Sequence, residues 1–250
     1  MLLVMKKFIF DYPTGEEVYE DVKENTNGFE RPYMMVRQST FDKLHAAYTA
    51  EPGSADYDAH LKMQLDALVD KGYSKYEGYS NVGVNGEYLG KKKTVINPYD
   101  TPEYAYYGYD NGGRLNESGI YCNEIMAMAF QITRDDNLLK ACYDYMVDMG
   151  EWEHWGPGHF LNCADATTPY ALSFDWLFND FERLNEEIGG YDTFKLAEYL
   201  YLRGVYEGYC SVAGKPNLYG RTSSSALFSM TANNWNAVCV LRERPLVHLL

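Results

Sequence analysis

The stretch Trp152–Phe181, WEHWGPGHFLNCADATTPYALSFDWLFNDF, gathers three tryptophans, two histidines and several acids around the start of a core helix. The spacing predicts that helix over about 164–178, where Pro169 is tolerable only near the first turns because it removes a backbone donor. An aromatic and polar cluster at a helix mouth is what a sugar-binding cleft requires. Ring faces bury the apolar faces of pyranoses, and short polar side chains at helix starts pair with hydroxyls and carboxylates. A second segment, TANNWNAVC at Thr231–Cys239, repeats the arrangement.

Working outward from there, the chain predicts helices in pairs. Cys122, Ile125, Met126, Ala129 and Phe130 make one apolar face. After a turn at 133–136, Leu138, Leu139, Cys142, Met146 and Met149 make another, which together predict an αα-hairpin. A fourth helix over about 191–209 would use Phe194, Ala197, Tyr201 and Val205. Towards the N-terminus, Ser39 or Thr40 is placed to cap a helix carrying Phe41, Leu44 and Tyr48. The next helix, about 55–69 with Leu61, Leu65 and Leu68, is expected to stop near Gly72. Residues 72–113, rich in Gly, Tyr and Asn, read as one long loop; the three lysines of Gly90–Lys93 could meet an anionic chain, and read first as a solvated tip. Residues 1–30 read as an N-terminal extension packed on a body that begins near Arg31. Paired helices of similar length with no strand-rich region give an all-α fold, a curved array of hairpins.

Composition bounds the function. The 250 residues are 46% hydrophobic and 23% charged, enough for a sizeable core without disulfides or metal. Lys and Arg number 22 against 36 Asp and Glu, a net charge of −14, which argues against general nucleic-acid binding. Twenty-four tyrosines and four tryptophans suit a surface that touches carbohydrate. Cys122, Cys142, Cys163, Cys210 and Cys239 lie far apart with no CxxC, and read as reduced, mostly buried thiols. His45, His60, His154, His159 and His248 show no metal-binding spacing, and GVNGEYLGKKK fails the P-loop spacing, so neither a metal nor another cofactor is expected. The apolar start MLLVMKKFIF is broken by Lys6 and Lys7 and lacks a cleavage site, and no run reaches transmembrane length. The expected setting is cytoplasmic by default, or secreted or periplasmic if a leader precedes the chain.

Three segments, RPYMMV at Arg31–Val36, WGPGHFLNCADATTPYALSFDWLF in the middle and NNWNAVC at Asn233–Cys239, resemble the heparinase II/III-like polysaccharide lyases in content, order and rough spacing. The resemblance covers about residues 31–239. It implies an incomplete (α/α)6 toroid built from antiparallel helical hairpins, with a substrate cleft at its mouth and an acidic polysaccharide or oligosaccharide as partner. The family continues well past NWN, with a catalytic tyrosine and further histidines. Here VLRERPLVHLL follows, and residues 240–250 read as an atypical tail from truncation or a shifted frame.

Lyases of that kind remove the proton at C5 of a uronate and expel the oxygen at C4, so the neighbouring carboxylate must first be neutralised. Asn233, Asn234 and Asn236 can donate amide hydrogens without introducing charge. The resemblance assigns an asparagine of this motif to that role, and Asn234 and Asn236 are the candidates. Asn234 could equally cap the helix starting at Trp235. His159, at a helix entrance, can face a cleft and donate or titrate near neutrality, or bond a backbone carbonyl. Trp152, Trp155 and Trp235, with Asn233, are candidates for the walls of the groove, whereas Trp176 reads as core. Tyr170 and Tyr219 are candidate bases. Asp165 and Asp175 read as a first-turn acid and a structural hydrogen-bonding group. Two other functions stay open: a toroid glycoside hydrolase using Asp165 and Asp175 as its carboxylate pair, and a non-catalytic carbohydrate-binding or vestigial protein.

Overall fold

The computed structural model of the chain describes residues 31–80, 122–151, 155 and 160–206, with Glu20 and the short ladder at 87–88 and 91–92. In that ladder Glu87 pairs with Lys92 and Tyr88 with Lys91. The other regular elements among the described residues are all helices, as expected of an all-α chain. The helices are α1 (Gln38–Thr49), α2 (Ala59–Ser80), α3 (Cys122–Thr133), α4 (Asp136–Glu151), α5 (Phe160–Ile188) and α6 (Thr193–Tyr199), which runs on as a π-helix over Leu200–Val205. Apart from Glu20, the extension at 1–30 lies outside the described residues, as does the tail at 240–250.

The hairpin of α3 and α4 forms as the apolar pattern predicts. Met126, Ala129 and Phe130 of one helix and Leu138, Leu139, Cys142, Met146 and Met149 of the other are buried, while Ile125 is only half-buried. Arg134, at φ 62, makes the sharp turn. Asp135 holds it, accepting from Asn137 N at 2.9 Å and from the Tyr73 hydroxyl at 2.6 Å.

Gly72 does not end α2, which continues to Ser80, so the first part of the expected loop is helical. Asp58 starts the helix by accepting from the backbone of His60 and Leu61. The buried side is Leu65, Val69 and Gly72, and Leu68 is instead 41% exposed. At Gly72 the helix lies so close to α3 that an added Cβ would overlap the Ala129 methyl, with the Ile125 carbonyl 3.5 Å away. The glycine is a contact surface here rather than a helix breaker. Gly72→Ala is therefore expected to lose about 1–3 kcal/mol through overpacking, although alanine is the better helix former. Chemical unfolding would check this; a gain in stability would mean that the two helices separate easily.

Helix α5 is the longest of the described helices and far longer than the predicted 164–178. Pro169, in its third turn, cannot donate to the turn before it. Around that gap the hydroxyls of Thr167, Thr168 and Ser173 bond back to the carbonyls of Cys163, Ala164 and Pro169. In α6, Asp192 caps by accepting from Lys195 N. Its buried stripe is Thr193, Leu196, Ala197, Leu200, Tyr201 and Gly204, rotated from the predicted one, so that Phe194 and Val205 are half-buried. The π segment leaves backbone carbonyls without regular α partners, and the Cys163 thiol donates to Arg203 O at 3.4 Å. Gly204 lets this turn reach Thr167, whose Cγ2 would lie 2.6 Å from an added Cβ. Among the described residues no helix is long and apolar enough to cross a membrane.

Candidate functional site

The start of the aromatic cluster that the sequence singles out falls in the segment between α4 and α5. Of its candidates only Trp155 is described. Trp152 and His159 lie outside the described residues, as do Asn233, Asn234, Trp235 and Asn236. Trp155 is fully buried, its indole N–H donates to Met149 O at 2.8 Å, and its ring lies 4.9 Å from that of Tyr170. With both its face and its polar edge occupied, the side chain is part of the core, where the sequence reading expected a groove wall.

Tyr170 is also fully buried, and burial pushes its phenol well above the ordinary value. A phenol held protonated and away from solvent is poorly placed to take a proton from a ligand. Tyr219 lies outside the described residues.

Where α4 ends, Lys195 reaches Glu151 at 3.5 Å and lies 5.5 Å from the centre of the Tyr199 ring. Arg203 Nε donates to Gly150 O at 3.2 Å. Burial raises the Tyr199 phenol, and the charge of Lys195 opposes that shift. These contacts fasten α6 to the end of α4.

The most completely built polar cluster joins the segment 31–36 to the middle of α5. Asp175 is fully buried. One carboxylate oxygen accepts from Arg31 Nη1 at 2.9 Å, and the other from the backbone N–H groups of Tyr33 at 2.9 Å and Met34 at 2.8 Å. Trp176 Nε1 donates to Met34 O at 3.1 Å and Asn179 Nδ2 to Arg31 O at 2.9 Å. The guanidinium lies 4.9 Å from the centre of the Phe178 ring, 5.5 Å from that of Phe174 and 5.1 Å from that of Tyr33. Burial raises the Asp175 carboxyl, and the backbone donors and Arg31 pull the other way. Asp175 is thus the structural hydrogen-bonding group the sequence suggested, with both oxygens engaged. Trp176, expected in the core, is buried, and Asp165 is half-buried.

Sequence reasoning missed Arg31 as the partner of Asp175. The signal was an acid between Phe174 and Trp176 on an apolar helix, since a charge so placed needs a cation or several donors. Cys122, Cys142 and Cys163 are buried thiols outside any disulfide, and Cys210 and Cys239 lie outside the described residues. Among the described residues no group of three or more His, Cys, Asp or Glu could hold a metal ion. Compared with protein-family models, curated proteins and solved structures, the chain matches none.

Proposed function

We propose that the chain is the toroid part of a lyase-type domain that cleaves uronate-containing polysaccharide by β-elimination. The observation that carries this reading is the order of its three segments, RPYMMV, the WGPGHF…SFDWLF stretch and NNWN, within a chain whose described elements are helices apart from one short ladder. In this reading the amides of Asn234 and Asn236 neutralise the uronate carboxylate and His159 bonds the substrate. Trp152, Trp235 and Asn233 line the groove, and Trp155 leaves that set because it is buried. A base takes the C5 proton, its electron pair forms the C4–C5 double bond, and the C4–O bond breaks with proton transfer to the leaving oxygen.

The hydrolase alternative loses support at Asp175. A carboxylate holding Arg31 and two backbone N–H groups in the interior has no oxygen to offer a glycosidic bond.

The test is incubation of the purified chain with uronate-containing polymers while following ultraviolet absorbance and reducing ends. Elimination gives both signals, and hydrolysis gives reducing ends alone. Asn236→Ala is expected to lower the elimination rate about 10²–10³-fold, as for loss of one oxyanion donor, with helicity unchanged. Binding without either signal would favour the non-catalytic reading, and no binding would remove the carbohydrate assignment.

A further inference from the structure

We infer that the region of the bundle around Asn123 on α3 and Tyr170 on α5 opens locally, exposing both side chains to water while the remaining helices stay folded. Asn123 is fully buried, and among the described residues neither its amide nitrogen nor its amide oxygen has a hydrogen-bond partner. The Tyr170 hydroxyl is in the same condition. The Cys142 thiol donates to the backbone carbonyl of Asn123 at 3.3 Å, and Cys142 and Tyr170 belong to the same buried core. A carboxamide and a phenol shut away unpaired lose bonds to water that the closed state does not return. Both residues have zero exposure, so no space large enough for water touches them as they stand.

Gln131, on the same helix as Asn123, is equally buried but satisfied. It donates to Trp176 O at 2.6 Å and to Asp180 at 3.3 Å, and accepts from Arg134. On α3 the imbalance is therefore confined to the Asn123 end; elsewhere among the described residues the unmet atoms are the Tyr170 hydroxyl and Nη2 of Arg31, whose other terminal nitrogen is bonded to Asp175. This inference is independent of the lyase reading.

Cys142, fully buried and bonded to the Asn123 backbone carbonyl, reports the opening. The native protein is treated with a thiol reagent across a denaturant series, and labelling at Cys142 is read by mass spectrometry of its peptide. Labelling is expected at least about ten-fold faster than global unfolding permits, with a shallower denaturant dependence. Asn123→Leu and Tyr170→Phe remove the unmet groups at nearly constant shape. Each is expected to slow labelling about ten-fold, equivalent to 1.4 kcal/mol. Labelling of the unmodified protein that tracks global unfolding would overturn the inference, as would an unchanged rate in both variants.

Discussion

Asp175→Ala is expected to destabilise the fold by about 3–5 kcal/mol, the usual result of removing one partner of a buried ion pair. The substitution leaves the Arg31 charge in a nearly solvent-free setting and strips the Tyr33 and Met34 N–H groups of their acceptor. Asp175→Asn does little better. An amide oxygen can still serve the two backbone donors, but the NH2 then faces the guanidinium donor to donor. Arg31→Met is expected to be milder, because the carboxylate keeps both backbone donors and the thioether can fill the space among Tyr33, Phe174 and Phe178. Urea unfolding of the three variants gives the ranking. If Arg31→Met proved as costly as Asp175→Ala, the backbone donors would be contributing little.

Trp155→Ala is expected to lose about 3–5 kcal/mol through an unfilled cavity. The Met149 carbonyl would lose its indole donor and the Tyr170 ring its neighbour. Trp155→Phe, which keeps a ring but not the N–H, should fall between the two. In a chain of this size the alanine variant should unfold on the order of 10 °C lower. A groove wall behaves in the opposite way, leaving unfolding unchanged and weakening oligosaccharide binding. Calorimetry and binding measured on the same variant would separate these outcomes, and that second pattern would return Trp155 to the candidate site.

The parts of the fold that were legible in the sequence are those where packing repeats. Leu138, Leu139, Cys142, Met146 and Met149 recur at helical spacing and are all buried. The errors fall where a close approach between helices decides. Gly72 has the local character of a stop, yet it sits inside α2 because α3 needs its missing side chain. Pro169 suggested a late helix start, whereas α5 begins at Phe160 and carries the proline with neighbouring hydroxyls bonded back along the chain. In α6, Phe194 and Val205 fit one helical stripe, but Leu196, Leu200 and Gly204 meet the core. Trp155 was misread for a related reason, since an indole in a polar loop has the same composition whether its ring points outward or inward. Of the site, the structural role of Asp175 was legible from its apolar surroundings, while its cation, 144 positions away, left no local trace.

The fastening of residues 31–36 to α5 bears on how kinship is weighed for chains of this kind. RPYMMV and SFDWLF stand far apart in the sequence, yet Arg31 and Asp175 make one contact, and Met34 and Trp176 another beside it. Selection for a single joint would keep both motifs together or lose both together. Finding the pair in another protein therefore counts as one witness, testifying to shared architecture; shared chemistry needs a residue that this joint does not already require.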